Sequence, residues 1–466
     1  MTLTADRFDE FFQAVHADDS GNTFPPFPWQ TRLANRVIAG ASSSANDTSE
    51  SVTAWPECLA LPTGSGKTSC LDIAVFALAC QAELPASERT AARKIIFVVD
   101  RRVIVDEAFD HAMTLAAKLA QAAQERTGGI LQEVAEALLR IAGADTLDPL
   151  LAEPLLPLTC HQLRGGMYRD DAWSRTPTQP CVIASTVDQI GSRLLFRAYG
   201  RSSKAWGLQA GLAGNDSLII LDEAHCANPF LQTMQAISRY RQWSDQPVGG
   251  PLQFVVMSAT PPAGVEPFKI NDDDLQHETL GARISRRKLA RLHESKKAKG
   301  TNALQELAVT LIEQAAGFAA DGLQRVGVLV NRVLTARTIY QVLDAIAHKR
   351  DEVPGIEPRH LKDVRKALKP LTDNLDFDVV LLTGRMRSID RDRLMREWKP
   401  EQSEAGDVGL LHWLGTSSTR PPLTRPVFVI ATQCLEVGAN LDFDALVTEC
   451  ASLDALRQRL GRLDRI

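Results

Sequence analysis

Nine short runs of apolar, largely β-branched residues punctuate this chain, and each is apolar at successive positions instead of alternate ones. They are CLAL (from Cys58), KIIFVV (Lys94), CVIAS (Cys181), SLIIL (Ser217), QFVVM (Gln253), RVGVLV (Arg325), DVVLLT (Asp378), PVFVIAT (Pro426) and DALVT (Asp444). A strand that is apolar throughout is covered on both faces, the condition of a parallel sheet flanked by helices. Helical stretches such as CLDIAVFALACQAE and ARTIYQVLDAIAHK lie between the runs. The alternation predicts an α/β protein with two doubly wound parallel-sheet domains.

A chain of 466 residues exceeds one hydrophobic core, which agrees with that division. The predicted organisation is an N-terminal segment over 1–23, a first domain over 24–262 with a helical insertion at about 108–160, a linker over 263–300 and a second domain over 301–466. The linker region opens on PPAGVEP, passes an acidic NDDD and ends in the basic ARISRRKLARLHESKKAKG, read as a solvated charged helix. Residues 351–376 are expected to be a second insertion, and ASSSANDTSESVTA, from Ala41, a mobile surface loop.

The net charge of −5 gives no whole-molecule attraction to phosphate, so a nucleic-acid site must be a local basic track. The eight cysteines form no CxxC pair, which argues for reduced thiols and against a zinc site or disulfide framework. The acidic start MTLTADRFDEFFQAVHADD has no apolar leader, and no apolar run reaches the length of a membrane span. A cytoplasmic protein is expected.

The strand CLAL runs into LPTGSGKT and then into a helix. A Gly-rich turn feeding a helix offers backbone N–H groups and the positive dipole end to a phosphate. Gly64 and Gly66 allow close approach, Lys67 reaches the β- and γ-phosphates, and the Thr68 hydroxyl binds Mg²⁺. Leu61 stands where the eight-residue pattern has its first Gly, so the loop alone is a partial signature.

In SLIILDEAHCANPF a strand ends in Asp222 and Glu223. Carboxylates at the carboxyl edge of an open α/β sheet lie where ligands bind, so Asp222 is assigned to the metal, through water, and Glu223 to the attacking water. Near the end, in ASLDALRQRLGRLDRI, Arg459, Arg462 and Arg465 are spaced by three and share a face if the segment is helical. Guanidinium groups at a γ-phosphate accelerate phosphoryl transfer by about 10³ to 10⁵, which predicts that the two domains close on ATP.

With these residues in place, the sequence resembles superfamily 2 helicases of the DEAH type from Phe24 to Arg465. The resemblance implies two tandem RecA-like domains and places LPTGSGKT (including Thr63 and Ser65), DEAH, SAT and QRLGRLDR as motifs I, II, III and VI. FPPFPWQTRL looks like the adenine-recognising Q motif, with Gln30 contacting the base and Phe27 or Trp29 stacking on it. By the same resemblance Ser258 and Thr260 couple nucleotide to strand movement, Gln458 approaches the γ-phosphate beside His225, and Arg462 and Arg465 are arginine fingers. Asp442 is placed near the ribose. Strand contacts are implied for Arg101, Arg102, Thr186 and Gln189 in the first domain. Thr383, Gly384, Arg385 and Thr432 are their counterparts in the second, where hydroxyl and cationic groups at strand ends suit phosphate tracking.

DRRVIVDEA, STVDQIGSRLLFRAYG, LTGRMRSIDRDRL and TQCLEVGANLDFDALVTE are similar to the helicase-nuclease of type I CRISPR interference, most in the manner of subtype I-U, now I-G. That resemblance implies 3′ to 5′ movement on single-stranded DNA after recruitment to an R-loop by a guide-RNA surveillance complex. It also implies an HD-type metal nuclease. None of the nine histidines precedes an Asp and no His/Asp cluster is legible, so the nuclease is expected as a following C-terminal domain or a separate protein, and the second domain as truncated. Other readings stay open: a DEAH-type helicase of repair, restriction or RNA metabolism, a nucleotide-dependent binding switch, or a P-loop small-molecule kinase.

Overall fold

The computed structural model describes residues 3–18, 21–43, 55–62, 64–99, 102–126, 128–144, 155–165, 171–222, 227–243, 250–258, 264–296, 298–350, 352–353, 356–368, 377–401, 408–415, 420–435 and 441–463. The chain divides into two compact units, Met1–Ser285 and Arg286–Ile466.

The first unit carries β1 (Cys58–Ala60), β2 (Lys94–Val99), β3 (Thr159–Leu163), β4 (Cys181–Thr186), β5 (Ser217–Asp222), β6 (Leu252–Met257) and β7 (Phe268–Lys269). They form one sheet in the order β3-β4-β2-β5-β6-β1-β7, with every pairing parallel. The second unit carries β8 (Arg325–Leu329), β9 (Asp378–Leu382), β10 (Val427–Ala431) and β11 (Ala445–Thr448), ordered β11-β8-β10-β9 and again parallel.

The second sheet shows why continuous apolar runs mean two covered faces. Val326, Val328, Phe428 and Ile430 enter one core, against the helices Ala303–Ala320 and Val333–Ala347. The alternate residues Leu329, Val427, Val429 and Ala431 enter the opposite core, with Trp413 and Leu414. Each fully buried aliphatic side chain contributes about 1.5 to 3 kcal/mol, so neither face tolerates a polar register.

All nine apolar runs are strands, and two further strands had no such signal. The edge strand β3, TCHQL, has polar residues at three of its five positions and is less fully buried than its neighbour β4, while β7 is two residues long. The helix Arg102–Glu125 starts upstream of the expected insertion and packs on β2, β3 and β4, with the helix Gly129–Ala142 against it. It is therefore a covering layer of the sheet.

The expected linker is folded over its first half. Strand β7 pairs with β1, and the helix Asp272–Gln276 begins with a capping box in which the Asn271 and Asp274 side chains bond each other's backbone N–H. Asp274 is fully buried, accepting from Trp29 N at 2.7 Å and from Arg32 at 2.8 Å. The helix Glu278–Ser285 follows, and the described residues of 286–299 form no helix, so the basic stretch is helical only at its start. In the second expected insertion the helix Pro358–Leu368 packs on Ala303–Ala320. The mobile-loop assignment lies outside the described residues from Ser44 on. Among the described residues no helix is long and apolar enough to cross a membrane, and Cys58, Cys70 and Cys181 are buried.

Candidate functional site

The turn after β1 is built around two glycines in the left-handed region, Gly64 at φ +83° and Gly66 at φ +79°. Side chains rarely adopt that conformation, and at Gly66 a Cβ would also stand 3.1 Å from Gln30 Nε2. The chain then winds into the 3-10 turn Lys67–Ser69 and the helix Cys70–Cys80, apolar on nearly every side and buried from Cys70 to Ala79. A helix so embedded holds its amino-terminal turn rigidly at the carboxyl edge of the sheet.

Strand β5 delivers Asp222 to the same edge, in register with Met257 of β6. Its Oδ1 lies 3.8 Å from Lys67 Nζ, with both side chains largely shielded from water. Ser258, buried just past β6, donates its N–H to Leu59 O of β1. The glycine turn, the acidic strand end and Ser258 therefore converge within one unit. Burial pushes the Cys70 thiol well up, aided by the Asp222 and Asp72 charges, so this cysteine is inert beside the site.

The segment Phe27–Gln30 braces the loop directly. Gln30 Oε1 accepts from Phe27 N at 2.7 Å, and Nε2 donates to Ser69 Oγ at 2.7 Å and Gly66 O at 3.4 Å. Trp29 is fully buried, its indole N–H donating to Ser65 O at 3.0 Å, so it offers no stacking face. Phe27 is half-buried and meets His277 edge-on. Sequence reasoning missed Ser69 and Asp274 as supports of this segment; the N-x-x-D pattern at Asn271 was the available signal for the latter.

Thr186 is buried at the end of β4, and Gln189 Oε1 accepts from Arg193, a buried guanidinium whose Nε donates to Gln209. In the second unit, Thr383 and Thr432 follow the adjacent strand ends Leu382 and Ala431, with Gly384 and Arg385 exposed in the same turn. Asp442 is buried and paired with Arg420 at 3.0 Å. Gln458 and Arg462 are buried. Thr63, Arg101, Glu223, His225, Thr260 and Arg465 lie outside the described residues, as does the Arg102 side chain.

The expected triple-arginine face is corrected. The helix Leu453–Leu460 ends before Arg462, and Arg459 is turned into its own unit, donating to Thr448 Oγ1, Glu449 O and Asn331 Oδ1 at 2.7 to 3.0 Å. A spacing of three aligns side chains only while the helix continues. A second correction concerns histidine: His16, Asp72 and His111 do form a His/Asp cluster. Burial pushes the Asp72 carboxyl up, but the charge and hydrogen bonds of His111 and His16 outweigh it and hold the carboxyl below its usual range.

Residues 23–263 match the family described as type III restriction enzyme, res subunit. The chain belongs to that family of superfamily 2 helicases. Residues 323–466 match the C-terminal part of the CRISPR-associated nuclease/helicase Cas3. A CRISPR-associated endonuclease/helicase Cas3 of Thermus thermophilus is 28% identical over 286 residues, covering 56% of this chain and 28% of that protein. A Cas3 of Streptococcus thermophilus is 43% identical over 56 residues, 12% of this chain and 6% of its own. The chain thus spans under a third of the length of either relative.

Among solved structures, Mss116p bound to single-stranded RNA and AMP-PNP has a TM-score of 0.50 at 13% identity, covering 99% of this chain and 72% of that one. T. fusca Cas3 with ADP has a TM-score of 0.49 at 14% identity, covering 94% and 43%. The likeness to Mss116p is one of fold, and it identifies both units of this superfamily 2 helicase as RecA-like.

Proposed function

We propose that this chain is the ATP-hydrolysing helicase part of a type I CRISPR interference enzyme, moving 3′ to 5′ along single-stranded DNA after recruitment to an R-loop by a guide-RNA surveillance complex. The observation that carries the reading is the placement of Lys67 3.8 Å from Asp222 at the end of a left-handed glycine turn, within a superfamily 2 helicase chain. The similarity of residues 323–466 to the Cas3 C-terminal part supports the CRISPR assignment.

The residues suit a nucleoside triphosphate with Mg²⁺. Gly64 has open space where a Cβ would stand, leaving room for phosphate oxygens against the backbone. Lys67 neutralises phosphate charge, and the Thr68 hydroxyl and Asp222 carboxylate are the oxygen donors a hard cation takes. Bound there, Mg²⁺ would screen the charge of the triphosphate. Glu223 serves as the base that orients water, and Arg462 and Arg465 as the arginines that stabilise phosphoryl transfer. Thr186, Gln189, Thr383, Arg385 and Thr432 contact the strand's backbone, which carries no sequence information and suits a translocase. An HD nuclease, as a further domain or separate protein, does the cutting.

ATPase assays with and without single-stranded DNA or RNA test this reading, together with displacement of a duplex bearing a 3′ or a 5′ tail. DNA stimulates turnover and only the 3′-tailed duplex is unwound; stimulation by RNA alone, or unwinding from the 5′ tail, overturns it. Glu223→Gln binds ATP, fails to hydrolyse it and stays on DNA; loss of ATP binding would make that acid structural.

A further inference from the structure

Three side chains far apart in sequence, and outside the nucleotide site, meet inside the first unit. Asp72 lies on the helix that follows the phosphate loop and is fully buried. His16 ends the helix Phe8–His16 and brings its Nε2 to 3.1 Å from Asp72 Oδ2. His111, on the helix Arg102–Glu125, brings its Nε2 to 2.9 Å from Asp72 Oδ1. One ligand atom from each of the three lies within 4.8 Å of the others.

We propose that His16, Asp72 and His111 form a binding site for a zinc-class divalent metal, which clamps the N-terminal helix and the Arg102–Glu125 helix to the helix carrying the phosphate loop. Two imidazoles and a carboxylate are a donor set for late first-row divalent ions and need no cysteine. Ligand atoms bound tetrahedrally to zinc stand about 3.3 Å apart; the two approaches, 2.9 Å to Oδ1 and 3.1 Å to Oδ2, lie within tenths of an ångström of that spacing, and one nitrogen of each imidazole lies within 4.8 Å of the other.

The surroundings favour the ion over a chance pair of hydrogen bonds. Both histidines present the same ring nitrogen to one carboxylate, and their rings lie 27° from parallel. The His16 ring is fixed by stacking on Phe12, with centroids 4.1 Å apart. Asp72 is sealed from water, whereas the His16 and His111 side chains retain 29% and 20% of their exposure, which gives an ion a path in and leaves a coordination position toward solvent. Placing a carboxylate in an otherwise apolar, fully buried helix is costly, and a dication bound to it offsets that cost more fully than hydrogen bonds from two imidazoles do.

The test uses the full chain, stripped with a chelator and dialysed against Co²⁺ in excess Mg²⁺. The wild type takes up one equivalent and shows visible bands of a low-coordinate Co²⁺ ion without a thiolate charge-transfer band. His16→Gln and His111→Gln, checked for folding by circular dichroism, each lose that equivalent, and Zn²⁺ raises the unfolding temperature of the wild type only. If a variant fails to fold, protection of His16 and His111 of the wild type from diethylpyrocarbonate by Co²⁺ supplies the readout. No uptake by the wild type, uptake retained in both variants, a thiolate band, or no protection of either histidine overturns the site. None of these readouts depends on ATP hydrolysis.

Discussion

Gln30 Nε2 donates to Ser69 Oγ across 2.7 Å, and Ser69 Oγ in turn donates to Gly66 O across 2.7 Å, so a residue 39 positions upstream of Ser69 braces the glycine turn. With its carbonyl oxygen taken by Phe27 N, this amide has every polar atom engaged inside the protein.

Gln30→Ala therefore weakens ATP and GTP alike, by about tenfold each, because a buried bond supporting the loop is lost. Titration with both nucleotides checks this. A selective loss of ATP would instead make Gln30 a reader of the adenine.

Lys67→Ala keeps the fold and lowers ATP hydrolysis at least about a hundredfold, the scale of removing one preorganised cationic or hydrogen-bonding group from a charge-developing site. Steady-state turnover at saturating ATP is the measurement. Wild-type turnover in this variant removes Lys67 from the site.

Arg459→Ala destabilises the second unit by about 3 kcal/mol, since three half-buried acceptors on Thr448, Glu449 and Asn331 lose a charged, buried donor at once. Arg457→Ala, on the exposed side of the same helix, shifts stability by less than about 0.5 kcal/mol. Denaturant unfolding distinguishes the two, and equal effects would contradict the inward placement of Arg459.

Limited proteolysis with trypsin cuts first among Arg286, Arg287 and Arg291, exposed and outside any helix or strand, before it cuts at Lys269 in β7. Mass spectrometry of the early fragments checks the order. Early cleavage at Lys269 would mean that β7 and the helices after it are not part of the first unit.

Much of the architecture was readable one segment at a time. Runs such as KIIFVV and VFVIA are apolar at consecutive positions because both faces of a parallel sheet are covered, and a glycine turn followed by Lys and Thr reports a phosphate loop through local backbone geometry alone. β3 and β7 were not readable, because a partly buried edge strand rich in polar residues, and a strand of two residues, carry no continuous apolar run. The amino-acid order thus determined the α/β class, the two-unit plan, and the glycine turn and the acidic strand end proposed here as parts of a nucleotide site, each a property of residues close in sequence. Only the tertiary structure decided that Gln30 supports Ser69, that Arg459 turns inward, and that His16, Asp72 and His111 meet. Those contacts depend on how separate helices pack, and side-chain packing across tens of residues leaves no periodic trace along the chain.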